Sequence, residues 1–272
     1  MKFLSIFLFA IFSSLLLSGQ THNPQLGARA AAMSNAAVTN VDEWAIHHNQ
    51  AALAYLEKPT AAISYQNRFL LNELSTKAVA FALPTENAGT FGVSLSQFGY
   101  TQYNETKAGI AYARQLGKRI SAGVRLNYYH IGFQESYYGN TGVLTAEIGM
   151  LAKVTDDLTI GAHLYNPSYA KIADYNDERI PVILRIGGGY EFSEKLTANV
   201  EVQKDLDNDA NVKIGAEYKV VEMLYLRGGL STNHFENSFG FGLNFGGFSI
   251  DLASSYHYIL GYSPQASMHY AF

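Results

Sequence analysis

The chain contains no cysteine, which excludes a disulfide framework, a thiolate metal site and a cysteine nucleophile together. Charge is scarce as well, at 15% of residues against roughly 25% in an average soluble domain. With 19 basic and 23 acidic residues the formal charge is −4, so there is no concentrated basic face for phosphate neutralisation, and nucleic acid is not an expected partner. Past the first twenty residues no apolar run approaches the roughly 20 residues that a transmembrane helix requires. What the sequence does hold is 19 Tyr, 16 Phe and 24 Gly within its 272 residues. A chain poor in charge, rich in Tyr, Phe and Gly, and without spanning helices points to a transmembrane β-barrel and to outer-membrane lipid as its surroundings.

The first residues agree with that address. Met1-Lys2 is a short basic start, Phe3 to Leu17 is apolar apart from serines, and Ser18, Gly19 and Gln20 are small or polar. This is the pattern of a secretory signal peptide over 1–19, cut near Gly19/Gln20, with a signal anchor as the plainer alternative. Residues 20–59 form a second unit, Ala-rich and without period-2 alternation. Ala and Leu favour helix and Asn and Asp favour caps, so the expectation is two short helices near 26–35 and 49–55, joined by a polar turn at Asn40, Asp42 and Glu43.

From Thr60 to Phe272 apolar and polar residues alternate, the mark of strands with two unlike faces. Phe239, Phe241, Leu243 and Phe245 oppose Gly240, Gly242, Asn244 and Gly246; Val212, Ile214, Ala216 and Tyr218 oppose Lys213, Gly215, Glu217 and Lys219. Fourteen such segments are counted, near 60–69, 75–83, 89–100, 106–115, 119–130, 142–153, 158–165, 180–192, 196–204, 210–220, 223–232, 238–245, 248–260 and 264–272. Merging two weak ones would leave twelve. Connections at one end are all short, while Ile131–Thr141 and Asn166–Arg179 are the longest at the other. Short periplasmic turns with longer outer loops characterise outer-membrane barrels. The expected fold is thus all-β: a closed antiparallel barrel of about fourteen strands with a short helical N-terminal luminal plug, in the cell outer membrane.

If apolar residues face lipid, the opposite face lists the lumen. It carries Lys107, Arg125, Arg185, Lys213 and Arg227 against Glu147, Glu201, Glu217 and Asp251, with His163, His257 and His269. The near balance fits a structural network bracing the plug better than a selectivity ring. A tight turn at Val221-Glu222 would set Glu217 opposite Arg227 as a charge-assisted pair. Glycines on the same face, among them Gly123, Gly149, Gly161, Gly215 and Gly229, leave room for the plug. Within the plug, Arg29 and Asp42 are expected to pair with luminal charges, Trp44 to pack, Asn49 to cap the second helix, and Asn35 to contribute to docking. Tyr270 and Phe272 close an alternating strand on aromatics, as an insertion signal would.

Catalytic patterns are missing. His47 and His48 are adjacent and point apart on a helix, so they do not suggest a zinc pair, and no cofactor is expected. Gly187-Gly188-Gly189 lies inside a strand pattern without a following helix or Lys, so it is no phosphate loop. Asp174 to Glu178 offers a possible Ca²⁺ loop or, more simply, a solvated one.

The segment Leu26-Gly27-Ala28-Arg29-Ala30-Ala31-Ala32-Met33-Ser34-Asn35-Ala36, followed by Asp42 to Ala45 and by Asn49-Gln50-Ala51-Ala52-Leu53, resembles the start of the PorV/PorQ family. That family belongs to the wider FadL-like outer-membrane barrels. Gln50 stands where the family pattern has Pro, and Ser34 where it has Gly. The resemblance implies a 14-stranded barrel with a luminal N-terminal segment. For PorV-like members it implies association with the type IX secretion translocon of Bacteroidota or with secreted cargo; for FadL-like members, passage of hydrophobic compounds through a lateral opening. The polar lumen favours an accessory or shuttle role in secretion over the transporter alternative, with an orphan structural barrel as a third possibility.

Overall fold

The computed structural model describes residues 25–135, 139–172, 178–206, 208–233 and 235–272. The expected signal peptide and Asp174 to Asp177 of the suggested Ca²⁺ loop lie outside the described residues. From Thr60 the alternation resolves into strands β1 (Thr60–Asn67), β2 (Ser75–Thr85), β3 (Gly89–Gly99), β4 (Tyr103–Gln115), β5 (Ile120–Phe133), β6 (Asn140–Lys153) and β7 (Leu158–Tyr165). These continue through β8 (Ile183–Ser193), β9 (Leu196–Asp205), β10 (Asn211–Val221), β11 (Leu224–Ser231), β12 (Glu236–Phe245), β13 (Phe248–His257) and β14 (Gly261–Ala271). Each pairs antiparallel with its sequence neighbour, and β1 closes the ring on β14 from Thr60↔Ala271 to Gln66↔Gln265. Closure removes the free edges that an open sheet would expose to lipid.

One face of every strand is apolar and exposed. Val79, Val93, Ile110, Leu126, Ile148, Val200, Ile214, Phe239 and Leu252 all point outward, the solvent of that surface being hydrocarbon. Aromatic pairs ring the short-turn end: Phe91–Tyr112, Tyr190–Phe192 and Phe248–Tyr270 have ring centroids 4.5–5.2 Å apart. Tyr256 and Tyr262 pair at 4.8 Å toward the other end. An apolar band flanked by aromatic girdles is the outer surface of an outer-membrane barrel, and that is where this protein resides.

The N-terminal segment lies inside the ring. It forms two short helices, α1 (Ala28–Ala32) and α2 (Ala45–His48), then a 3-10 turn over Gln50–Tyr55. This corrects the expected helices of 26–35 and 49–55. The first stops early because Ser34 and Asn35 adopt positive φ of 52° and 58°, which ends the helix. The second begins upstream of Asn49, whose extended backbone divides it from a 3-10 turn. The β1–β2 connection is also longer than the alternation suggested. Phe69 and Leu70 take φ of 55° and 59°, and the Phe69 N–H donates to Ser263 Oγ at 3.1 Å. At 68–74 it exceeds the 134–139 connection, so only 166–182 is longer among the loops at that end.

Candidate functional site

The luminal face of the strands and the plug meet in a layer of buried charge. Its first centre is Glu147 on β6, 1% exposed. Lys107 Nζ donates to it at 2.9 Å, Asn127 Nδ2 at 2.9 Å, and Gln50 Nε2 of the plug at 2.6 Å. His163 Nε2 lies 3.0 Å away on the other oxygen, and Arg125 Nη1 3.5 Å from the first. Register explains the assembly: Arg125 stands opposite Glu147 across β5–β6, and His163 opposite Arg185 across β7–β8. Arg125 also donates to the Ile46 carbonyl at 2.9 Å and to Ser94 Oγ at 2.5 Å.

A second centre is Glu217 on β10. Arg29 of α1 grips it with two parallel bonds, Nε to Oε2 at 3.0 Å and Nη2 to Oε1 at 2.9 Å. Arg227 Nε donates to the same carboxylate at 2.5 Å and its Nη1 to Asp251 at 2.6 Å. Glu217 and Arg227 are register partners across β10–β11. Asp42 does not reach a barrel charge; it accepts from Arg29 Nη1 at 3.3 Å, inside the plug. Burial works against the Arg29 cation, yet Glu217 and then Asp42 hold its pKa above the ordinary arginine value.

Between the centres, Glu201 on β9 accepts from the backbone N–H groups of Ala37 and Val38 at 2.9 Å each, and from Lys213 Nζ at 3.2 Å. Lys213 also reaches the Asn35 carbonyl at 3.5 Å, while the Asn35 side-chain oxygen has no partner. Asn49 does more than cap: Oδ1 accepts from Ala51 N at 3.2 Å, and Nδ2 donates to the carbonyls of Val38 at 2.8 Å and Met150 at 2.9 Å. Trp44, 2% exposed, packs where a side chain at Gly27 would collide with it. Tyr270 and Phe272 meet edge to face at 4.9 Å at the short-turn end, where Phe272 N donates to the Pro59 carbonyl at 2.9 Å.

The luminal glycines form a negative imprint of the plug. A Cβ on Gly123 would stand 2.6 Å from Ala51 N, on Gly161 2.5 Å from the Val38 carbonyl, and on Gly215 2.5 Å from Met33 Cβ. Outward Gly188 meets nothing nearer than 3.7 Å.

Three contributors were not singled out as site residues from sequence. Gln50, noted only as a departure from Pro, is the plug's ligand for Glu147. Glu43, 3% exposed, lies 3.2 Å from His269 Nδ1. Burial, and then neighbouring Asp42, pushes its carboxyl pKa up while His269 opposes the shift. Glu105 shares the luminal face of β4 with Lys107, the signal that could have found it, and accepts from the hydroxyls of Tyr103 at 2.6 Å and of Tyr129. Toward the long-loop end the lumen turns apolar, with Tyr129, Ile131, Tyr165 and Ile183 of the strands buried together with Ile172 and Ile180 of the 166–182 connection. No group of three or more His, Asp or Glu able to hold a metal occurs among the described residues.

Fold and site define a closed outer-membrane β-barrel with a luminal plug. No family model and no curated protein matches the sequence. Solved structures do match. A FadL homologue of Pseudomonas aeruginosa aligns with TM-score 0.71 over 92% of this chain and 99% of its own, at 12% identity. A deltaS2 mutant of the monoaromatic hydrocarbon channel TodX gives 0.71 over 90% and 98%, at 12% identity. The Pseudomonas putida toluene transporter TodX gives 0.67 over 89% and 96%, at 11%. At such identities the likeness establishes the fold: the structural neighbours are FadL-type outer-membrane barrels, named as channels and transporters.

Proposed function

We propose that this protein is an outer-membrane transporter for small hydrophobic compounds, seen with its lumen closed by the plug. The observation that carries the reading is the apolar cluster that Tyr165 and Ile183 of the wall form with Ile172 and Ile180 of the connection at the long-loop end, above the charged layer. Small apolar ligands are held by apolar side chains with a few polar groups beside them, and this cluster has that composition. The fold shared with a toluene transporter supports the same reading. The transport-class reading therefore moves ahead of the secretion role that the sequence favoured. Uptake of radiolabelled toluene into proteoliposomes tests it, comparing the natural chain with Ile180→Asn. Saturable uptake that falls at least tenfold in the variant is expected; equal uptake in protein-free vesicles overturns the proposal.

A second reading keeps the barrel as an accessory of type IX secretion. It is supported by the sequence resemblance over Leu26 to Leu53 and by a wall whose ladder, among the described residues, shifts register only beside two short turns, at Glu191/Ser193 and Lys219/Val221. Its partners would be the translocon or secreted cargo. Affinity purification from cells that carry such a system tests it, and recovery of the barrel alone would sink it.

A further inference from the structure

Arg185 is 1% exposed, yet its guanidinium makes a single hydrogen bond, from Nη1 to the His47 carbonyl at 3.4 Å. Its Nε has no partner, and among the described residues no carboxylate comes within ion-pairing distance. The neighbouring acids are already engaged. Glu147 serves Lys107, Arg125, Gln50 and His163, and Glu201 serves Lys213 and two backbone N–H groups. Four buried cations, Lys107, Arg125, Arg185 and Lys213, thus share two buried carboxylates, Glu147 and Glu201.

Two further buried donors go unspent. Arg125 Nε has no acceptor. Arg125 Nη1 donates to His47 Nδ1 at 3.2 Å, which puts the ring proton of His47 on Nε2, and that atom is also without a partner. His47 stays neutral and supplies no counter-charge: burial, then Arg125 and Lys107, drive its pKa well below the usual histidine value. A buried cation without a counter-charge is far more costly than a paired one. Water could satisfy the N–H groups but brings no charge.

We propose that the lumen holds a monatomic anion of chloride size against Arg185, under the Ile46–His47 turn of the plug that Arg125 also braces. Both guanidiniums already touch that turn, through the Ile46 and His47 carbonyls. The anion would fasten the plug to the wall by neutralising the cations that face it.

Two experiments on the full chain in detergent test this. Crystals grown in sodium bromide should show an anomalous peak beside Arg185 Nε; a peak consistent only with water, or none at saturating bromide, overturns the proposal. The apparent melting temperature should rise with chloride or bromide and saturate, against gluconate at equal ionic strength. Arg185→Gln should abolish that rise, while Arg119→Gln, which removes an exposed cation paired with Asp156, should keep it. A melting temperature indifferent to the anion refutes the site. Should Arg185→Gln fail to fold, the bromide experiment on the natural chain still decides.

Discussion

Adjacent glycines on β11 separate the plug from the wall energetically. Gly229 faces the lumen, where an added Cβ would lie 2.6 Å from Ser34 N and 2.8 Å from Met33 Cα, both backbone atoms. Gly228 faces outward, and its nearest neighbour would be the Ser238 carbonyl at 3.8 Å. Valine at either position suits a strand, so propensity acts alike on both. Only at Gly229 must the plug backbone move, and overpacking of this kind costs about 1–3 kcal/mol. At about 1.4 kcal/mol per tenfold, Gly229→Val should raise the undocked population of the plug by about 5- to 150-fold. Gly123 makes the same close approach on β5, at 2.6 Å from Ala51 N. Six strands around the ring, the two sites are far enough apart for their costs to add, giving about 2–6 kcal/mol for Gly123→Val with Gly229→Val.

Single-channel recording in planar bilayers reads the outcome. Gly228→Val should stay as quiet as the natural chain, Gly229→Val should show rare openings, and the double variant frequent ones. A thiol introduced at Ala37, the chain being otherwise cysteine-free, should become reactive to a membrane-impermeant maleimide in the same order. Equal openings from Gly228→Val and Gly229→Val would refute the reasoning, because the defect would then be in the wall. So would a double variant with an undisturbed plug.

Acid should loosen the plug. Burial pushes the His48 pKa down to about 4 from its ordinary 6.5, so the undocked plug binds more protons between those values and docking weakens as pH falls through that window. The shift corresponds to about 3 kcal/mol at pH 4, and His47 acts in the same sense. Glu43, with its raised carboxyl pKa, acts oppositely by favouring the docked state in acid. Conductance should therefore rise from pH 7 to pH 4 and flatten in His48→Asn; an unchanged pH profile in that variant counts against the assignment. Arg29→Gln should loosen docking by about 1–3 kcal/mol through loss of its charge-assisted bonds to Glu217, read as faster maleimide labelling of the plug thiol. Asn49→Asp keeps the acceptor for Ala51 N but loses both donations, so it should cost more than half of what Asn49→Ala does in the same assay.

Strand identity was legible because each strand separates two solvents, and period-2 alternation is the direct record of that division. The β7 boundaries, 158–165, coincide with the structure for this reason. The Glu217–Arg227 pairing was legible too, since a tight turn fixes register on both of its sides. Alternation is silent where no two-faced surface exists. The chain at Phe69-Leu70 leaves the ladder through left-handed backbone, and the plug folds by contacts with distant strands. Nothing local in Gln50 announces that its partner is Glu147, 97 residues away.

The glycines carry the part of the plug's docking that the wall's own sequence encodes. Read alone, small luminal residues indicate only vacant space. Placed against the plug, they mark where its backbone touches the wall: Ala51 at Gly123, Val38 at Gly161, Met33 at Gly215 and Gly229. Charged side chains then fasten the gaps between those contacts, at Glu147, Glu201 and Glu217. Such an interface differs from a hydrophobic core in a way that bears on function. Several of its buried polar atoms, including Trp44 Nε1, His47 Nε2, His48 Nδ1 and Arg185 Nε, lack partners. Each unmet group subtracts from the stability of docking, on the order of 1–3 kcal/mol apiece when dry. The wall's backbone ladder carries no such penalty. The cheapest large change open to this protein is therefore movement of the plug, with water entering behind it, and a route through the lumen would begin there.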